Sequence, residues 1–114
     1  MPKYYGYVRL SPYDAEKSGF SIDAQKRALT ESFDKVWSKK EYEMGAILID
    51  AGVSAKKPLF KRPQGHRLKI DPVAGDVVEF MRVDRAFRST LDAVATYEFL
   101  VKKKIEMAWI DGPN

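Results

Sequence analysis

"VDRAFRST", Val83 to Thr90, places an acid and two arginines, Asp84, Arg85 and Arg88, where the apolar run "DVVEFMRV" stops. The stretch reads as a β-strand handing over to a helix. In an open α/β sheet the carboxyl ends of the strands are where ligands bind. The fold therefore turns on whether other strands end at the same edge.

Working outward, "YYGYVRL", "MGAILID" and "IEMAWI" share the short apolar character of "DVVEFMRV" and read as strands, four in all. Between the first two, Ile22, Leu29, Phe33, Val36 and Trp37 recur at helical steps, predicting an amphipathic helix over Ser21–Lys39 with Ser21 as N-cap. A second helix follows "VDRAFR". Its expected core face is Leu91, Val94, Tyr97, Leu100 and Val101, with Lys102 to Lys104 in the last turn, where cations suit the helix dipole. Pro58, Pro63 and Pro72 break up the segment from Gly52 to Gly75 and leave room for a short helix opening at Pro63. Strands alternating with helices predict an α/β fold of three layers, a mostly parallel sheet of four to five strands flanked by helices, with right-handed crossovers. Residues 1–114 read as a single domain without internal repeats or linkers.

Composition bounds the function. The 114 residues include no cysteine and one histidine, and carry a formal charge of +4, a modest lean toward an anionic partner. The start "MPKYYGYVRL" has no signal-peptide pattern, and there is no long apolar run, so the expectation is a cytoplasmic protein away from membranes. With one histidine, no cysteine and no paired carboxylates at ligand spacing, a two-metal nuclease site is poorly supported, and no metal ligand is assigned.

A parallel sheet gathers the ends of its strands along one edge. There the sequence puts Arg9 and Ser11 after the first strand, Asp50 and then Ser54 after the second, and Asp84, Arg85 and Arg88 after the third. Arginine, planar and permanently charged, grips two phosphate oxygens at once. A serine hydroxyl among such groups suggests attack on phosphorus, with the donors stabilising charge on the equatorial oxygens.

"YGYVRLS", "SGFSIDAQKRAL", "IDAGVSA", "KRP" and "GDVVEFMRVDRAFRS" resemble, in order and spacing, the catalytic domain of serine site-specific recombinases, the resolvase and invertase group. The resemblance covers nearly the whole chain. It implies that Ser11 is the nucleophile and that Arg9, Arg85 and Arg88 bind the phosphate, with Asp84 the acid beside them. It further implies that Arg62, before a proline, is an active-site arginine, that Gln25 is the helix glutamine and that Asp50 is the acid ending the second strand. The implied reaction is cleavage and rejoining of DNA through a 5′-phosphoserine link without metal or nucleotide cofactor. The implied assembly is a homodimer and tetramer of a longer protein. On that reading this chain precedes a long dimerisation helix and a DNA-binding domain, and by itself is an inactive monomer or weak oligomer.

The chain departs from the family pattern at Leu10-Ser11-Pro12, where Pro12 stiffens the loop and removes a backbone donor, at Ser54-Ala55, and at Pro72, which interrupts a longer helix. Each candidate also has a structural reading. Ser11 beside Pro12 is a plain turn residue, Asp84 a helix N-cap or an ion-pair partner of Arg88, and Arg62 a solvated loop arginine. Gln25 and Asp50 would support the site, His66 would lie on the surface, and Lys102 to Lys104 would form a solvated helix end. Two other classes compete: a catalytically silent DNA-associated or regulatory module of the same fold, and a flavodoxin-like nucleotide-binding domain. The absence of a Gly-rich phosphate loop after the first strand counts against the latter.

Overall fold

The computed structural model describes residues 1–12 and 21–111, and of Arg85 only the backbone. Strands β1 (Lys3–Leu10), β2 (Glu43–Ala51), β3 (Val77–Phe80) and β4 (Glu106–Trp109) form a four-stranded sheet in the order β2-β1-β3-β4. Every neighbouring pair is parallel. The helices are α1 (Ile22–Ser32), the single turn α2 (Val83–Ala86) and α3 (Thr90–Lys102).

Side-chain alternation along β1 separates the two faces. On one face the Tyr4 hydroxyl reaches α1, its oxygen 3.3 Å from the Leu29 carbonyl. A Cβ on Gly6 would lie 3.1 Å from Leu29, so the small residue lets α1 settle close to the strand. On the other face Tyr5 and Tyr7 join Leu48, Val78 and Phe80 of the sheet, with Leu59, Leu68 and Leu100 packed over them.

Ser21 caps α1, its Oγ accepting from the Ala24 amide at 3.1 Å. The helical path expected to Lys39 widens into a π turn over Phe33–Trp37 and tightens into a 3-10 turn over Ser38–Lys40, where Glu41 at φ 68° ends it. The wide turn buries Trp37 against Tyr4 and Tyr42, at ring distances of 6.2 and 5.2 Å, and leaves Val36 exposed. Pro63 sits between two 3-10 turns, Leu59–Lys61 and Gly65–Lys69, and opens no α-helix. The amides of Gln64 and Gly65 turn to Asp50. Gly65 is required there, because a Cβ would overlap the Leu59 carbonyl.

The expected core face of α3 is corrected by the structure. Leu100 is buried, but Leu91 is 83% exposed and Val94, Tyr97 and Val101 are exposed beside it. The inner face is Thr96 and Leu100, with Ala93 and Phe99 half-buried. Two sets of residues keep helical spacing, and the one facing in combines small residues that let α3 approach with Phe99, set edge-on to Phe60 at 5.0 Å.

Candidate active site

In the parallel register Arg9 lies opposite Asp50, so the ends of β1 and β2 bring an arginine and an acid side by side. Ser11 follows β1 directly and is half-buried. It lines a cleft of about 450 Å³ with Pro12, Ser54, Lys56 and Arg88. Two hydroxyls and two exposed cations thus face one space. Ser54 Oγ accepts from the Lys56 amide at 3.1 Å, a tight local turn that fixes the rim. Arg88 also borders a second pocket of about 260 Å³ with Val83, Asp84, Phe87, Ser89, Thr90 and Ala93.

Behind the cleft, an Arg9 guanidinium nitrogen donates to the Val53 carbonyl at 2.9 Å, and Gln25 Nε2 donates to the Arg9 carbonyl at 3.3 Å. Gln25, buried on α1, holds the β1 end from the opposite face, in keeping with a supporting place.

Asp50 is 2% exposed and accepts three hydrogen bonds: from Tyr7 Oη at 2.8 Å, Gln64 N at 2.8 Å and Gly65 N at 2.9 Å. Arg62, which the sequence left between an active-site arginine and a solvated loop residue, is fully buried. Its Nε donates to the Lys57 carbonyl at 2.8 Å, one Nη to the Tyr7 hydroxyl at 3.3 Å and the other to the Ala55 carbonyl at 3.3 Å. Burial pushes the Tyr7 phenol above its usual range; the Arg62 guanidinium pulls it back down and the Asp50 carboxylate pushes it up.

Asp84 lies in the first turn of α2, but its partner is Arg82, bonded at 3.0 and 3.2 Å, and not Arg88. Nor does it cap α3: Ser89 does, accepting from the Leu91 and Asp92 amides. The reason is local, since Phe87 and Arg88 leave the helical path between α2 and α3. The Arg85 backbone belongs to α2, and its side chain lies outside the described atoms. His66 is exposed, as are Lys102 to Lys104.

Sequence reasoning missed Tyr7, Lys56 and Asp92. Tyr7 carried a signal, two residues before Arg9 on the same strand face. Lys56 lies two residues beyond Ser54. Asp92, three after Ser89, sits where a capping turn places an acid. No group of three or more metal-ligating side chains occurs among the described residues, and none of their helices is long and apolar enough to cross a membrane.

The sheet order and the strand-end cleft define a parallel α/β domain with its candidate site at the carboxyl ends of the strands. The family model for the resolvase N-terminal domain matches residues 4–114. The chain therefore belongs to the resolvase family, as the catalytic domain of a serine recombinase, an enzyme of site-specific DNA recombination. It is similar to the N-terminal catalytic domain of TP901-1 integrase, at 30% identity and TM-score 0.78 over 95% of this chain and 77% of that one. The C-terminal catalytic domain of ISC1926 TnpA, an IS607-like serine recombinase, shares the fold at 18% identity and TM-score 0.68, over 98% of this chain and 72% of that one. A search of curated protein sequences gives no match.

Proposed function

We propose that Ser11 is the nucleophile. Its oxygen attacks a DNA phosphodiester and gives up its proton, the new Oγ–P bond forms as the bond from phosphorus to the 3′ oxygen breaks, and the departing 3′ oxygen takes up a proton to become a hydroxyl. The 5′-phosphoserine keeps the energy of the broken bond, so attack by a partner 3′-hydroxyl rejoins the strand without metal or nucleotide. The observation that carries this reading is the cleft in which Ser11 and Arg88 line one space with Ser54 and Lys56. Arg88 would hold the phosphate oxygens, with Arg9 and Arg85 as further donors and Asp84 beside them. The fixed positions of Asp50 and Gln25 support a scaffolding role for both. Strand exchange requires two duplexes, which on this reading meet in a dimer of dimers.

The test is covalent trapping. With a nicked duplex carrying the crossover site, the recombinase should form an adduct at Ser11, and Ser11→Ala should form none while still binding the duplex. An adduct in the alanine variant would remove Ser11 from the role, and a folded wild-type protein that bound the site without forming one would favour the silent module.

A further inference from the structure

We infer that Asp92 is a positioning residue for the recombinase reaction, acting through Arg62 to hold the two walls of the Ser11 cleft together. This rests on the reading of that cleft as the reaction site.

One wall carries Ser54 and Lys56, and Arg88 lines the other. Arg62 grips the backbone on both sides of Lys56: Nε bonds the Lys57 carbonyl at 2.8 Å and Nη the Ala55 carbonyl at 3.3 Å. The same terminal nitrogen lies 3.9 Å from Asp92 Oδ2, and among the described residues Asp92 alone brings a carboxylate within 4.0 Å of Arg62. Asp92 Oδ2 also accepts from the Leu59 amide at 3.1 Å. Asp92 stands in the first turn of α3, three residues after the Ser89 cap that follows Arg88. One carboxylate thus joins the Lys56 wall to the helix that begins beside Arg88.

A fully buried guanidinium needs a counter-charge, and removing that charge leaves it uncompensated. The planar fork also makes the clamp specific, since a lysine ammonium could not reach two carbonyls and a hydroxyl in fixed directions. The rim would then drift relative to Arg88, and a displacement on the order of 1 Å at a phosphoryl-transfer site is costly in rate.

Asp92→Asn isolates the charge, because the amide oxygen still accepts from Leu59. The full recombinase is assayed for cleavage of a nicked crossover-site duplex at saturating DNA, and hydrogen exchange of the Arg62 Nε proton is followed by NMR. We expect cleavage about tenfold slower with unchanged half-saturating DNA, and Arg62 exchange faster by a similar factor. Asp92→Glu, which keeps the charge, should recover most of the rate and supplies the test if the Asn variant does not fold. In an Arg62→Lys background, Asp92→Asn should slow cleavage no further. A wild-type rate in Asp92→Asn, unaltered Arg62 exchange, a Glu variant as slow as the Asn variant, or additive losses in the double variant would each overturn the proposal. Cleavage surviving in Ser11→Ala would instead sink the functional reading and leave the exchange result standing.

Discussion

Replacing Tyr7 by phenylalanine removes one oxygen and keeps the ring, which is 2% exposed and set edge-on to Phe80 at 5.8 Å. That oxygen donates to Asp50 at 2.8 Å and accepts from Arg62 at 3.3 Å. Neither partner is stripped by the change. Asp50 keeps the Gln64 and Gly65 amides, and Arg62 keeps two carbonyls and Asp92. What is lost is a hydrogen bond to each of two charged groups, one of them long, in a space that Phe cannot refill. A hydrogen bond to a charged group contributes about 1.5–3 kcal/mol. With the remaining partners absorbing part of the loss, we expect about 2 kcal/mol of destabilisation, a large share of a typical domain's stability. Urea unfolding followed by tryptophan fluorescence should show a lower midpoint at unchanged slope. Tyr5→Phe is the control: Tyr5 joins the same core cluster at 7% exposure, yet its hydroxyl makes no hydrogen bond among the described residues. If Tyr7→Phe lay within about 0.5 kcal/mol of wild type, the range of an ordinary surface change, the hydroxyl would not bridge the two charges. An equal loss in both variants would likewise locate the cost in the ring.

The corrected face of α3 predicts that Leu100→Ala costs about 2–5 kcal/mol, whereas Leu91→Ala stays within about 0.5 kcal/mol, both read from the same denaturation curves. Alkali should weaken the fold through Tyr4 and Tyr7, whose phenols burial raises above 10.0, Tyr4 further through its bond to Glu79. The unfolded chain ionises these groups from about pH 10 while the native state holds them neutral, so their contribution is present below that pH and lost as it rises beyond it. The unfolding midpoint should fall between about pH 9 and 11, and less steeply in a Tyr4→Phe, Tyr7→Phe double variant.

What was legible in the sequence was what local chemistry decides. Four apolar runs became four strands because each run is short and bounded by turns, and Ser21 caps α1 because a serine in extended backbone can accept from the amide three residues on. The face of α3 was not legible, since Leu91, Val94 and Tyr97 keep helical spacing as well as Ala93, Thr96 and Leu100 do. Which set turns inward depends on what the segment from Leu59 to Lys69 presents, and Pro63 within it, with Pro58 and Pro72 on either side, obscured that segment. The strand ends located the cleft but not its rim: Lys56 enters through a turn stabilised by the Ser54 hydroxyl, a contact that composition does not signal.

Arg62 marks the limit of counting charges along a chain. Read as one more cation near a strand end, it adds to the positive field of the cleft; in the structure its charge faces Asp92 and its donors face carbonyls and Tyr7. The cations that line the cleft and are exposed are Lys56 and Arg88. The division is physically reasonable. A buried guanidinium is costly to move and suits a frame, whereas an exposed one exchanges water and counterions for a phosphate at little reorganisation. The opposite face of the sheet uses the same device with a carboxylate: Glu79, buried in β3, accepts from Tyr4 at 2.7 Å and Trp37 at 3.4 Å and ties β1 to the π turn. Each face of β1 thus carries a tyrosine whose hydroxyl meets a buried carboxylate. On the face beneath the cleft that carboxylate also caps the turn after Pro63, and there the frame and the candidate chemistry share residues.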